Sequence, residues 1–137
     1  MAQSLEILVI DDEELIRTLL RRILQTQNVS VGLAKDGREG INMYEARLPS
    51  NPYDAVFTDL NMPNMSGAEV TKRVKKLSPT TPVYVITGTE PTEEYDRLRN
   101  DLKDLGPDRV IGKPFARDTI TQLVKEIRLM KYSAKNK

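Results

Sequence analysis

The chain has 137 residues, enough to bury one real core and too few for two ordinary domains. Its 21 Lys and Arg nearly balance 20 Asp and Glu, so the formal net charge of +1 marks neither a nucleic-acid-binding protein nor a polybasic membrane surface. Cys and His are both absent, which excludes disulfides, thiolate metal sites and cysteine nucleophiles, and means that any imidazole chemistry must come from another molecule. The longest apolar runs fall far short of a bilayer span and no targeting pattern precedes them, so the expectation is a soluble, cytoplasmic protein with no membrane partner.

In chain order, the first apolar run is Ile7 to Ile10, followed by a helical stripe of Leu15, Ile16, Leu19, Leu20, Ile23 and Leu24. A more polar run, Val29 to Ala34, suits an edge strand. Asp36 with Glu39 resembles a capping box, opening a helix with Ile41, Tyr44 and Leu48 on one face. The next run is Ala55 to Thr58. Ser66 with Glu69 then reads as a second capping box, leading to a stripe of Val70, Val74 and Leu77.

Val83 to Ile86 is the fourth run. Thr92, Glu93 and Glu94 put acids in the first turn of a helix whose apolar stripe is Tyr95, Leu98, Leu102 and Leu105. Val110-Ile111 precedes a last helix with Ile120, Leu123, Val124, Ile127 and Met130. Apart from Val29 to Ala34, the runs are continuous and largely β-branched, without polar alternation. They therefore read as parallel strands covered on both faces, in a doubly wound α/β domain of five strands and five helices. Residues 1–131 form that domain, and residues 132–137, polar and lysine-rich, are expected as a flexible tail or truncated linker.

In such a sheet ligands bind beyond the carboxyl ends of the strands. The residues that follow the runs are Asp11-Asp12, Asp59, Thr87 and Lys113. Three carboxylates in one pocket repel one another unless a cation is bound, and a hard divalent ion such as magnesium shares oxygen ligands readily with phosphate. An Asp carboxylate is a competent nucleophile towards phosphorus, and phosphoryl transfer needs positioning and charge neutralisation more than it needs a base. Lys113 supplies positive charge, Thr87 a hydroxyl and Gly88 clearance.

Four segments together resemble the receiver domains of two-component response regulators, the CheY-like family, over about Leu5 to Met130. They are Ile10-Asp11-Asp12-Glu13, Thr58 to Gly67, Ile86-Thr87-Gly88 and Gly112-Lys113-Pro114-Phe115. The resemblance implies the flavodoxin-like strand order 2-1-3-4-5. It implies Asp59 as phosphoacceptor and metal ligand, Asp12 as direct metal ligand, Asp11 as its water-mediated partner, and the backbone carbonyl of Asn61 as a further ligand to magnesium or manganese. Thr87 matches the switching hydroxyl, Lys113 the phosphoryl-pairing lysine, and Lys113-Pro114 a peptide bond usually cis in the family. Asn61 and Thr89 match positions that influence access of the hydrolytic water. Implied partners are a histidine kinase or histidine phosphotransfer protein acting in trans, and a downstream effector domain or protein, with no direct contact to nucleic acid. The chain is then a signalling module with weak self-catalysed phosphotransfer and autodephosphorylation, and not an enzyme of turnover.

Three departures stand against the family pattern. Val110 occupies the place of an aromatic residue whose ring rotates with the threonine. The stretch from Thr87 to Lys113 is longer than typical, with Pro91 and Gly106-Pro107 bounding its helix, and nothing after Met130 resembles an effector domain, as in a stand-alone receiver or a fragment. Two other classes compete. A haloacid dehalogenase-type phosphohydrolase would need an acid two residues after the nucleophile, where Asn61 stands. A phosphate-independent docking module would not need the acidic pocket.

Overall fold

The computed structural model describes residues 4–135. Five strands, β1 (Leu5–Ile10), β2 (Val29–Ala34), β3 (Ala55–Asp59), β4 (Val83–Thr87) and β5 (Arg109–Gly112), form one parallel sheet in the order 2-1-3-4-5. Helices α1 (Glu14–Gln25), α2 (Gly37–Ala46), α3 (Gly67–Leu77), α4 (Pro91–Leu102) and α5 (Arg117–Lys135) alternate with them. A 3₁₀ turn, Lys103–Leu105, joins α4 to β5. This is the flavodoxin-like α/β fold expected from the sequence.

Alternation along the strands explains the continuous apolar runs, because each neighbouring side chain enters a different core. Leu5, Ile7 and Val9 of β1 join Phe57, Ile86 and the buried faces of α1 and α5. Leu8 and Ile10 point the other way, to Val56 and the α2 and α3 residues Ile41, Tyr44, Val70 and Val74. A smaller cluster of Leu60, Val85 and Leu98, flanked by Val110, seats α4.

The helix stripes are narrower than their sequence pattern. Leu20, Ile23 and Leu24 are buried, whereas Leu15 is 84% exposed and Leu19 45%. Leu77 and Met130 likewise project outward at the ends of their stripes. On α4 the buried positions are Leu98 and, unexpectedly, Glu94, whose carboxylate meets Arg97 at 3.1 Å. Positions 94 and 98 lie one turn apart and so share the inward side of α4.

Asp36 and Ser66 cap α2 and α3 by accepting from the N–H groups of Glu39 (2.8 Å) and Glu69 (3.2 Å). The expected tail is partly helical: α5 continues through Lys135, and residues 136–137 lie outside the described residues. Among the described residues no helix is long and apolar enough to cross a membrane.

At the opposite end of the sheet from the strand carboxyl ends, Lys75 is 6% exposed. It donates to Asp108 Oδ2 (2.7 Å) and the Thr81 carbonyl (2.8 Å). Thr81 Oγ1 in turn meets Tyr44 OH at 2.9 Å, and Asp108 also accepts from Val83 N–H at 2.7 Å. These bonds tie α2 and α3 to the starts of β4 and β5.

Candidate functional site

The sheet brings Asp11, Asp59, Thr87 and Lys113 to one rim, each at or one residue past a strand end. Asp59 closes β3 opposite Ile86 of β4, and Thr87 closes β4 opposite Gly112 of β5. Gly67 is required here by space. A Cβ on it would collide with the Asp59 carbonyl oxygen and stand 2.8 Å from Leu60 Cα, so only glycine lets α3 start directly against the backbone of Asp59. The Gly67 N–H donates to the Leu60 carbonyl at 2.8 Å, closing that turn.

Asp59 is 5% exposed and Asp11 fully buried, while Asp12 and Glu13 are exposed. Asp59 Oδ1 accepts from Leu60 N–H at 3.0 Å and from Lys113 Nζ at 3.2 Å. That orients the carboxylate and leaves Oδ2 for a metal or for phosphorus. Lys113 Nζ also meets Glu13 Oε1 at 3.1 Å and Asp11 Oδ2 at 3.5 Å, the latter a Coulombic contact too long for a good hydrogen bond.

Asp11 does not cap α1. Its Oδ1 accepts from Glu13 N–H at 2.8 Å, and its carbonyl is held by Arg17 at 2.7 Å. Its Oδ2 is buried with no hydrogen-bond partner. One oxygen each from Asp11, Asp12, Glu13 and Asp59 lie within 4.8 Å of one another. An orphaned buried oxygen within an all-oxygen, multiply acidic donor set fits a hard divalent cation such as magnesium.

Electrostatics agree with that fit. Burial first, then the neighbouring Asp11 charge, pushes Asp59 up to about 6, with Lys113 opposing. Burial likewise raises Asp11, against the opposing Glu13 N–H and Lys113. For Lys113, burial favours the neutral amine, but Asp11, Glu13 and Asp59 outweigh it and raise the group overall.

Thr87 is fully buried, and its hydroxyl is engaged with the following loop. It lies 3.0 Å from Thr89 Oγ1 and accepts from Thr89 N–H at 3.2 Å. Gly88 and Thr89 are exposed, and no atom stands within 4 Å of where a Gly88 Cβ would be, so the expected clearance is present. Asn61 is exposed in the loop after β3, Val110 is half-buried beside the α4 cluster, and the Lys113-Pro114 bond is cis.

Glu13 is the member of the cluster to which sequence reasoning assigned no role. It was visible only as the fourth residue of the Ile10 to Glu13 segment, and its engagement with Lys113 spans 100 residues.

Residues 7–125 match the family model of the response regulator receiver domain. The chain is 36% identical over 110 residues to the response regulator MprA of Mycolicibacterium vanbaalenii, covering 80% of this chain and 44% of that protein. It is 37% identical over 125 residues to the transcriptional regulatory protein DltR of Streptococcus agalactiae, covering 91% of this chain and 51% of that one. It thus spans about half the length of these curated relatives. A response regulator receiver domain protein from Clostridium thermocellum superposes with a TM-score of 0.82 at 25% identity, covering 95% of this chain and 98% of that one. The fold and the rim of acids with a lysine define a signalling receiver. The chain belongs to the response regulator receiver domain family.

Proposed function

We propose that Asp59 accepts a phosphoryl group from a phosphohistidine carried by a histidine kinase or histidine phosphotransfer protein, and that the modified domain then changes its contacts with a downstream effector domain or protein. The carrying observation is the geometry at Lys113, whose amine meets Asp59, Asp11 and Glu13 while Asp11 Oδ2 has no hydrogen-bond partner. The absence of His within the chain fits a donor supplied in trans.

In this reading Asp59 Oδ2 attacks phosphorus. The bond from phosphorus to the donor imidazole nitrogen breaks, that nitrogen keeps the electron pair, and an acyl phosphate forms on Asp59. Lys113 pairs with a phosphoryl oxygen and the Thr87 hydroxyl donates to another. Asp12, Asp59 and the Asn61 carbonyl would hold magnesium or manganese, with Asp11 acting through water. Bound there, the ion supplies positive charge that offsets the carboxylates and the developing phosphoryl charge. Water attack on phosphorus later breaks its bond to Asp59 Oδ2, releasing inorganic phosphate and restoring the carboxylate, with Asn61 and Thr89 flanking its approach.

With Val110 in place of an aromatic ring, activation passes from Thr87 through the loop of residues 88 to 90 to α4. A charge-assisted bond from Thr87 to the phosphoryl group provides the pull. The setting proposed is cytoplasmic.

Incubation with acetyl phosphate and magnesium, read by intact mass, tests the assignment. One acid-stable, base-labile phosphoryl group is expected on the native chain. None is expected for Asp59→Asn or in the presence of EDTA, and labelling of that variant at the native rate would refute the assignment.

A further inference from the structure

The Thr87 hydroxyl, the group that must reach a phosphoryl oxygen, is occupied in this structure by Thr89. Its oxygen accepts the Thr89 N–H at 3.2 Å and shares a bond with the Thr89 hydroxyl at 3.0 Å. The backbone of Thr87 is fixed independently. Its carbonyl accepts Lys113 N–H at 2.7 Å, and the residue pairs with Gly112 across the β4–β5 ladder. What remains free to turn is the side chain, and a hydroxyl carries a single proton. Whichever threonine donates in the shared bond, both contacts hold the Thr87 oxygen towards the loop.

We infer that Thr89 is a latch: its hydroxyl holds Thr87 in the unphosphorylated arrangement, and release of that bond couples Asp59 to α4. This rests on the proposed phosphoacceptor role of Asp59. A phosphoryl oxygen offers a stronger, charge-assisted acceptor than the neutral Thr89 hydroxyl, so phosphorylation opens the latch. Breaking it nevertheless subtracts from the free energy that favours the switched state, so Thr89 sets how readily the chain responds.

The path outward is short. Thr89 is exposed, and two residues on, Pro91 begins α4 and packs over Gly112. The space beside Gly88 is open, so the loop can move once Thr89 is released.

Beryllofluoride with magnesium, an analogue of the acyl phosphate, tests this by NMR titration of the native chain, Thr89→Val and Thr89→Ser. Valine keeps the shape and the N–H contact but removes the hydroxyl, whereas serine keeps the hydroxyl. Thr89→Val is expected to bind beryllofluoride roughly two- to five-fold more tightly, the size of one partly solvated hydrogen bond, with Thr89→Ser close to native. Amide shifts of residues 88 to 98 in unliganded Thr89→Val should lie on the line towards the beryllofluoride state. Equal or weaker binding by Thr89→Val, with those shifts off that line, would overturn the latch while leaving the phosphoacceptor role intact. A native chain that gives no beryllofluoride response would overturn both.

Discussion

Pro91 packs so closely over Gly112 that a Cβ added to Gly112 would stand 2.9 Å from the proline Cγ. The first turn of α4 therefore rests on the end of β5, one residue before Lys113, and glycine at 112 is what permits the approach. Gly112→Ala should displace Pro91 and lower stability by about 1 to 3 kcal/mol, the usual range for overpacking. Urea denaturation measures the loss, and amide shifts should move in residues 88 to 98. An unchanged midpoint with unmoved shifts would contradict the close seat.

The acidic pocket makes the metal-free protein pH-dependent in a defined direction. Asp59 is raised from 3.8 to about 6, so the folded chain holds this proton more tightly than the unfolded chain does. Stability from this group is greatest below about pH 4 and is lost as pH rises through the window from 3.8 to about 6. In EDTA at pH 7.5, Asp59→Asn should be more stable than the native chain by about 1 to 3 kcal/mol. The difference should shrink towards zero near pH 4. Magnesium should raise the native melting temperature more than that of the variant. Thermal melts across pH, with and without magnesium, check all three statements.

Lys75 stands far from the pocket in function and should separate stability from chemistry. Lys75→Ala removes the amine from Asp108 and from the Thr81 carbonyl, at a cost of about 2 to 4 kcal/mol. Acceptance of phosphate from acetyl phosphate should persist under conditions where the variant remains folded. Denaturation and intact-mass labelling on the same preparation measure the two effects.

If Asp59 carries the proposed acyl phosphate, its lifetime should depend on residues flanking the pocket that do not carry the phosphoryl group. Asn61 and Thr89 are both exposed, each two residues past a rim residue, Asp59 and Thr87. Asn61→Ala and Thr89→Ala should each change the decay rate of phosphorylated Asp59 by several-fold, about 1 kcal/mol in barrier, while labelling itself survives. Following intact mass after removal of acetyl phosphate gives the rates. Identical decay in all three proteins would remove this role.

Much of the fold was legible in the residues alone because strands covered on both faces declare themselves locally, as in Ile7 to Ile10 and Val83 to Ile86. The meeting of the candidate residues followed from the same signal, since the residues that end those runs must share one rim of a parallel sheet, and Asp11, Asp59, Thr87 and Lys113 do. Helices were less legible. An apolar stripe on α1 does not say how much of its width the sheet and α5 cover, and Leu15 and Leu19 lie outside that cover. Buried charge was invisible for a similar reason: Lys75 looks like any surface lysine until Asp108, 33 residues away, is brought to its amine. The partner of Glu13, Lys113, was likewise decided only by tertiary structure, 100 residues away in the chain. Periodicity encodes which side of a segment is apolar, whereas the pairing of polar groups depends on distances that exist only once the sheet and its loops are assembled.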